Sequence, residues 1–290
     1  MKTLSAAAGS NEEKKIVTSQ VIDNFFQSLV KEEKSAATIS KYRHDIDKFV
    51  SNMGKQQVTK ELVIGYKQHL QESGYAIRSI NSMLASVNRL LDFMGCIDCR
   101  IKSMKLQRQT YLAEEKELTK EEYLRLLKAA ENQPRLRLIL ETICSTGIRV
   151  SELRFFTVEM VRKGEVIVSC KGKTRPILIP RKLKKILLAY AQQNHISSGI
   201  LFRTRSGKPI NRCSVWAAMK RLCDQAKVRR EKVFPHNLRK LFARTFYRLE
   251  KDLAKLADLL GHSSIDTTRI YIMSTCKEHQ RKIDVLGLVL

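Results

Sequence analysis

The sequence lacks any apolar run that approaches the ~18 residues needed to span a membrane. Residues 1–15, MKTLSAAAGSNEEKK, also lack the long apolar region of a secretory signal peptide. A zinc ribbon needs two Cys pairs, and no second CxxC accompanies Cys96 and Cys99 at a fitting distance. We therefore expect a cytoplasmic protein, independent of a membrane, with its seven cysteines reduced and no structural metal.

Negative charge is scarce as well. The 290 residues contain 29 Asp and Glu against 54 Lys and Arg, which gives a formal net charge of +25. Such a charge favours a polyanionic partner, and nucleic acid is the commonest one. The sequence holds no GxxxxGK[ST] phosphate-binding loop, and no organised carboxylate set of the kind that metal-dependent transposases require. An enzyme that acts on DNA without these motifs would have to neutralise the phosphate charge with its own cationic side chains.

The length suits two domains. Apolar residues at steps of three and four, as in TISKYRHDIDKFVSNMG and SINSMLASVNRLLDFMG, predict four helices before about residue 95. The polar and basic segment that follows loses this period and reads as a linker. The expected organisation is a flexible N-terminus (1–15), a helical domain (16–101), a linker (102–116), a second domain (117–274) and a C-terminal tail (275–290).

The second domain is predicted to be mostly helical with one exception. Thr119 and Glu122 stand in capping-box register and open its first helix. The stretch EVIVSCKGKTRPILIP has β-branched, apolar runs on both sides of a basic tip and predicts a β-hairpin. The fold class is therefore mainly α with a small β-hairpin (α+β).

Three short stretches of this domain place cationic or proton-carrying groups near helix ends. In STGIRVSELRFF, Arg149 sits near the start of a helix, where backbone N–H groups already favour anions. In VFPHNLRKLFARTF, His236 and Arg239 are three residues apart and share one helix face. A guanidinium there suits a bidentate grip on phosphate oxygens, and a histidine suits proton transfer near neutral pH.

The stretch LLGHSSIDTTRIYIM presents His262 directly after a helix that ends at Gly261. Ser264 is placed to cap a following short helix, and Tyr271 falls two turns into it. A phenol has a pKa near 10 and is a poor nucleophile at neutral pH unless nearby groups favour its anion. Arginines, histidines and a lysine are such groups. A packing role for Tyr271 is the alternative that composition alone leaves open.

The hairpin is rich in cations, and most of them are expected to neutralise a phosphate backbone. A lysine at its tip is also placed to protonate a leaving oxygen. Lys171 and Lys173 compete for that role, and Arg175 follows them.

These motifs, in their order and spacing, resemble the signature boxes of the tyrosine recombinases, the lambda-integrase and Xer-like group. TGIRVSEL, HNLRKLFA and LLGHSSIDTTRIY look like the three boxes, and CKGKTRPILIP falls where the family has its lysine-bearing hairpin. The resemblance covers the whole second domain, and the four-helix bundle before it looks like the family's core-binding (SAM-like) domain. It implies a core-binding domain and a catalytic domain that form a C-shaped clamp on DNA.

The resemblance also assigns roles to residues. Position by position, the catalytic set it implies is Arg149, Lys171, His236, Arg239, His262 and Tyr271. Glu152 matches a supporting residue that braces the site. Lys240 is a departure, because many relatives have histidine there, but the position lies outside the core catalytic set.

The implied activity is site-specific DNA recombination through a 3′-phosphotyrosyl intermediate and a Holliday junction, in a tetramer that needs neither a cofactor nor a metal. Two other functions remain open: relaxation of DNA by a type IB topoisomerase, and DNA binding without catalysis. The bundle and the apolar tail favour recombination. No obvious arm-binding domain precedes the bundle, which favours a Xer-like or transposon-borne enzyme over a lambda-type integrase.

The expected partners are double-stranded DNA with inverted-repeat core sites and three further copies of the chain. Candidate DNA contacts, which should go mostly to phosphates, are Lys41, Arg43, Arg78, Asn81, Arg89, Lys105, Lys173, Arg175, Lys227, Arg229 and Arg230. In the family, a C-terminal segment packs on a neighbouring protomer, and the residues that match this role are Ile283, Val285, Leu286 and Leu288. The target sequence and the choice among integration, excision, inversion and dimer resolution stay open, as does cleavage in cis or in trans.

Overall fold

The computed structural model describes residues 16–54, 56–106, 116–170, 173–273, 280–281 and 283–286, without the side chains of Cys170 and Lys173. The chain divides into two compact units, Met1–Arg108 and Gln109–Leu290. The division falls within the predicted linker 102–116, and the finer domain bounds stay predictions.

The described residues of the N-terminal unit form helices and their connections, with one isolated β-bridge between Ile16 and Gln57. Three of its helices begin at a hydroxyl side chain that accepts a backbone N–H of the first turn: Thr18, Ser35 and Thr59. Its core includes Phe49 and Tyr66, whose rings meet edge to face with centroids 5.1 Å apart. The helices are α1 (Ser19–Lys31), α2 (Ala36–Met53), α3 (Lys60–Glu72) and α4 (Ile77–Phe93), as the apolar spacing predicted.

Two further features of the described residues bear on the expectations from sequence. No helix among them is both long enough and apolar enough to cross a membrane. Nor do they contain a group of three or more His, Cys, Asp or Glu side chains that could hold a metal ion. Cys96 and Cys99 lie buried in the core of the N-terminal unit.

The C-terminal unit surrounds a larger apolar core that includes Phe156 and Phe202. Its first helix begins with the predicted capping box of Thr119 and Glu122. Its elements are α5 (Lys120–Ala129), α6 (Pro134–Thr146), a 3₁₀ segment (Val150–Phe155), α7 (Val158–Lys163), β1 (Glu165–Cys170), β2 (Lys173–Leu178), α8 (Arg181–Gln193), α9 (Arg212–Arg221), α10 (Cys223–Ala226), a second 3₁₀ segment (Arg230–Lys232), α11 (Pro235–Glu250), α12 (Leu253–Leu260) and α13 (Ile265–Ile272).

The two strands form the predicted hairpin. They pair antiparallel, with Val168 opposite Arg175 and Cys170 opposite Lys173. Val166 and Val168 point into the core, whereas Ile167 is 50% exposed, as the alternation of a strand requires. The prediction of a mainly α chain with one small β-hairpin is confirmed.

Helix α11 organises the half of this unit that carries the motifs, because it packs against both α6 and α13. A second, small apolar cluster forms there around Leu256, Leu260 and Tyr271. The ends of α6 and α12 therefore meet the first turns of α11 and the last turn of α13.

The close approach of α6 and α11 depends on Gly147, which ends α6 at φ +66°. A Cβ at this position would lie 2.3 Å and 2.6 Å from two ring atoms of Phe242. We expect Gly147→Ala to lower the free energy of unfolding by about 3 kcal/mol or more, since left-handed strain and overpacking add. Denaturant unfolding of the purified chain measures it.

Gly199→Ala is the matched control for this change. Gly199 also has a positive φ, +75°, but a Cβ there meets no atom within 4 Å. Strain alone should cost about 1–2 kcal/mol. Equal losses in the two variants would contradict the packing argument.

Candidate active site

Arg149 is presented by a tight turn. After Gly147 ends α6, Arg149 becomes the N-cap of the 3₁₀ segment, so the residue stands before a 3₁₀ turn where the sequence suggested a helix. Glu152 accepts a hydrogen bond from the backbone N–H of Arg149 at 2.8 Å and another from its Nη1 at 3.0 Å. The arginine side chain is 41% exposed, so it is held in place and still open to a ligand.

Glu152 is the buried carboxylate of the site, with 2% of its side chain exposed. It also accepts from Nη2 of Arg175 at 2.8 Å, and Nη1 of Arg175 donates to the Leu259 carbonyl. Burying one carboxylate beside two guanidiniums leaves a positive excess, which is what an anionic ligand needs. The side chain of Arg175, expected to contact DNA, is 15% exposed and tied into this network.

Arg239 is almost fully buried, at 1% exposure. Its Nη1 donates to the carbonyl of Gly147, and its Nη2 donates to the carbonyl of Leu260 at 2.6 Å and lies 3.0 Å from Nε2 of His262. Burial, together with the charge of Arg149, lowers the pKa of Arg239 to about 10, so its guanidinium stays charged at neutral pH. Its Nε has no hydrogen-bond partner among the described residues. Such a buried, unsatisfied donor is typical of a functional site.

His262 follows Gly261, which ends α12 in the left-handed conformation. Its Nδ1 lies 2.8 Å from Oγ1 of Thr268, and its Nε2 faces Arg239. Burial and the charges of Arg239 and Arg149 lower the pKa of His262 to about 4. The ring is therefore neutral at pH 7.

The ring of Tyr271 stands between the two histidines of the motifs. Its centroid is 5.0 Å from that of His236 and 4.9 Å from that of His262, both at 84°. Burial, followed by the charges of Lys240 and Arg239, lowers the pKa of His236 and favours its neutral ring. Tyr271 is 7% exposed and belongs to a small apolar cluster. Its ring also contacts the imidazoles of His236 and His262.

A cavity of about 540 Å³ opens beside these residues. Its lining combines apolar and aromatic side chains with three arginines and one histidine, and these cations suit a phosphate group. Its lining includes Arg149, Arg212, Trp216, His236 and Arg239.

The low pKa of His262 predicts a dependence of stability on pH. Between pH 6.5 and about 4 the unfolded chain binds a proton at this ring that the folded chain does not, so stability falls as the pH falls. We expect a loss of about 1–2 kcal/mol between pH 7 and pH 5, measured by denaturant unfolding. His262→Gln should flatten this slope and the exposed His195→Gln should not; a slope unchanged in His262→Gln contradicts the assignment.

The structure thus brings five of the six expected catalytic residues to one place: Arg149, His236, Arg239, His262 and Tyr271. Lys171 lies outside the described residues, as does the side chain of Lys173, so the choice between these two lysines stays a prediction. Glu152, the expected supporting residue, accepts a hydrogen bond from Arg149, and its supporting role stays a prediction.

Three of the expected DNA contacts in the N-terminal unit make bonds within the protein. Lys41 pairs with buried Asp45 and lies 3.1 Å from Oγ of Ser86. The amide of Asn81 donates to the carbonyl of Met104 and accepts from its N–H, at 2.9 Å and 2.8 Å. Arg89 pairs with Glu32. Their roles toward DNA stay predictions.

Other expected DNA contacts are more open. Arg43 lies over the ring of Phe26 at 4.1 Å, and Arg78 and Lys105 are exposed. In the C-terminal unit Lys227, Arg229 and Arg230 are exposed, and Nη1 of Arg230 is 3.8 Å from a carboxylate oxygen of Asp224.

The tail is described only in part. Ile283, Val285 and Leu286 are 55%, 85% and 61% exposed. Leu288 lies outside the described residues. The expected contact with a neighbouring protomer stays a prediction.

The sequence analysis did not predict one group of ion pairs beside the site, which joins Glu117 to Lys240 and Arg244. Glu117, 6% exposed, accepts from Lys240 at 2.8 Å and from Nη1 of Arg244 at 2.7 Å. Lys240, the departure noted above, therefore ties α11 to the chain just before α5. The helical i to i+4 spacing of the two cations was the only signal in the sequence, and it did not identify their partner.

Comparison with known proteins identifies a family for each of the two units. The model of the Phage integrase family matches residues 116–278, and the model of the Phage integrase N-terminal SAM-like domain matches residues 22–94. Together they cover most of both units.

Two curated relatives match over nearly their full length. Tyrosine recombinase XerA of Pyrococcus furiosus is 28% identical over 285 residues, which is 95% of this chain and 96% of that protein. Tyrosine recombinase XerA of Thermococcus kodakarensis is 32% identical over 273 residues, 91% of this chain and 93% of that protein. Among solved structures, a lambda integrase dimer bound to a COC′ core site superposes with a TM-score of 0.73 at 19% identity, covering 90% of this chain and 79% of that one.

Proposed function

The chain belongs to the phage integrase family of tyrosine recombinases, and from this premise we propose how it acts as a site-specific DNA recombinase. One arrangement carries the proposal: His236 and His262 flank the ring of Tyr271, Arg239 contacts His262, and Arg149 lines the adjoining cavity. Members of this family cleave and rejoin DNA, so the questions for this chain are which atom attacks, which groups carry charge and which move protons.

The phenol oxygen of Tyr271 attacks a backbone phosphorus. The bond that forms joins tyrosine to the 3′ phosphate, and the bond that breaks releases a 5′-hydroxyl. Arg149 and Arg239 neutralise the charge on the pentacoordinate phosphoryl group, and fixed charges in a partly dry site act more strongly than in water. The unpartnered Nε of buried Arg239 supports this role.

Protons move through the remaining groups. His236 is neutral at pH 7 and sits against the Tyr271 ring, so it takes the phenolic proton. On the opposite side of that ring, His262 takes up a proton at Nε2 beside the anionic phosphate and donates a hydrogen bond from Nε2 to a phosphoryl oxygen. Lys171 of the hairpin tip gives a proton to the leaving 5′-oxygen. The phosphotyrosyl ester conserves the energy of the broken phosphodiester bond. A 5′-hydroxyl of a partner strand therefore attacks this ester, releases Tyr271 and forms a new DNA phosphodiester without ATP.

The arginines supply the positive charge of this chemistry, so the proposal invokes no metal or cofactor. The DNA is a duplex with inverted-repeat core sites, gripped through the exposed cations of both units. Strand exchange passes through a Holliday junction in a homotetramer, and the apolar side chains of the tail, Ile283 to Leu286, pack on a neighbouring protomer. The reaction takes place in the cytoplasm.

A nicked suicide substrate tests the first step. Cleavage near the nick lets the short 5′-hydroxyl strand diffuse away, so the ester accumulates and appears as a shifted band under denaturing conditions. The family membership predicts an adduct on the 3′ side of the break. Failure of every tested core site to give an adduct would remove the catalytic proposal and leave DNA binding.

Two duplexes that share a core site separate recombination from relaxation. Recombinant products with exchanged flanks support the proposal. Relaxation of a supercoiled plasmid without any exchanged product would favour a type IB topoisomerase.

A further inference from the structure

The hydroxyl group of Thr268 is buried in an apolar part of the C-terminal unit, where burying a polar group costs free energy. It lies one turn before Tyr271 on α13 and is fully buried, whereas its neighbour Thr267 is exposed. Leu256 and Leu260 form the apolar cluster on which this face of α13 packs. A hydroxyl in such surroundings needs a hydrogen-bond partner. The partner here is Nδ1 of His262, 2.8 Å from Oγ1.

The direction of this hydrogen bond follows from the other side of the ring. Nε2 of His262 lies 3.0 Å from Nη2 of Arg239, and a guanidinium carries only donors. Nε2 must therefore accept, which puts the ring proton on Nδ1. That N–H then donates to the Thr268 hydroxyl.

We propose that Thr268 is a positioning residue for DNA cleavage: its hydroxyl accepts the Nδ1–H of His262 and so keeps Nε2 facing Arg239 and the phosphate. This inference rests on the proposed function and gives a role to Thr268, to which the sequence analysis assigned none. Thr268 does not itself touch the reacting atoms, and it acts through the orientation of the His262 ring.

The hydroxyl suits this position because it is neutral. A carboxylate beside Nδ1 would favour the charged imidazolium, as in hydrolase triads, and three arginines already surround this ring: Arg239, Arg149 and Arg175. The hydroxyl orients the ring without adding charge, so the ring stays neutral until DNA arrives. If Nε2 takes up a proton beside the anionic phosphate, the bond from Nδ1–H to Thr268 is unchanged, and Nε2 still points at the oxygen it must contact.

Removal of the hydroxyl has a defined structural consequence. In Thr268→Val the shape of the side chain is kept, but the Nδ1–H is left without its acceptor. Rotation of the imidazole by half a turn about Cβ–Cγ then exchanges Nδ1 with Cδ2 and Nε2 with Cε1, which takes Nε2 away from Arg239. Thr268→Ser keeps the acceptor and loses only a methyl group, and Thr267→Val makes the same chemical change at the exposed neighbour.

The rate test uses the full chain and the suicide substrate at saturating DNA. We expect Thr268→Val to cleave about 10- to 100-fold more slowly, the range seen when a partner that orients an imidazole is removed. DNA affinity should not change. Thr268→Ser should stay within about threefold of wild type, since the hydrogen bond is retained, and Thr267→Val should equal wild type. A wild-type rate in Thr268→Val overturns the inference, and so does an equal loss in Thr268→Ser.

A second measurement does not depend on activity. ¹⁵N-histidine NMR of the DNA-free protein reports which ring nitrogen of His262 carries the proton, and His262→Gln identifies its resonances by their loss. We expect a protonated Nδ1 at pH 7 in wild type and in Thr267→Val, and an altered pattern in Thr268→Val. A wild-type ring protonated at Nε2 overturns the inference even if Thr268→Val fails to fold. Absence of any covalent adduct with wild type would instead defeat the proposed function, while the NMR result still reports on the hydrogen bond.

Discussion

Tyr271→Phe should abolish covalent capture of DNA and leave DNA affinity nearly unchanged. The change removes one oxygen from a ring that is 7% exposed and keeps its contacts with His236 and His262. Since that oxygen is the proposed nucleophile, adduct formation on a suicide substrate should fall below about one part in 10⁴ of wild type. Affinity, measured by fluorescence anisotropy with the same duplex, should stay within about twofold because phosphate contacts dominate it.

Tyr247→Phe is the matched control, because Tyr247 packs against the same small cluster as Tyr271. That variant should capture DNA at the wild-type rate. Capture by Tyr271→Phe at a measurable rate would mean that another residue is the nucleophile. Loss of both capture and affinity would mean that the ring is a packing element, as buried tyrosines usually are.

The order of the helices and strands could be predicted from the sequence, because short stretches of it carry strong signals for where each element begins and ends. Helix ends carried glycines, and the run of β-branched residues around a basic tip allowed little besides a hairpin. The position of His262 directly after the end of α12 also followed from local pattern, since Gly261 stops that helix. Capping by Ser264 was local too.

The hydrogen bonds and ion pairs between side chains of the site could not be predicted from the sequence in this way. Arg175 was expected to contact DNA, and that contact stays a prediction. Nothing in the sequence indicated that its guanidinium pairs with Glu152, 23 positions earlier. The helical period put Arg239 on the polar face with His236, yet the guanidinium is buried among the carbonyls of Gly147 and Leu260. Such contacts depend on how α6, α11 and α12 pack, which no single stretch of sequence encodes.

The same limit applies to the electrostatics. Sequence gives the ordinary pKa of a histidine, whereas the low pKa of His262 arises from burial and from arginines contributed by separate elements. Asn81 lies on a helix that was a candidate for the DNA groove. Its amide makes two hydrogen bonds to the backbone of Met104, which only the folded chain shows, and its role toward DNA stays a prediction.

Arg149→Ala should cost far more in cleavage rate than in DNA affinity. The fold should tolerate the change, because Glu152 keeps its ion pair with Arg175 and its bond from the backbone N–H at position 149. The lost guanidinium is 41% exposed and lines the cavity, where it meets the charge that develops on the phosphoryl group. Removing such a group should slow single-turnover cleavage by about 10²–10³-fold or more, while the equilibrium dissociation constant should rise by less than about fivefold, since one phosphate contact among many is lost.

Two further variants sharpen the Arg149 experiment. Arg149→Lys keeps the charge but cannot offer two parallel hydrogen bonds, so it should recover only part of the rate. Arg154→Ala removes an exposed arginine of the same 3₁₀ segment, one that lies over the ring of Phe155 at 4.8 Å, and should change neither quantity much. If Arg149→Ala loses rate and affinity by the same factor, the guanidinium binds the ground state and the transition state equally, and Arg149 is a binding residue only.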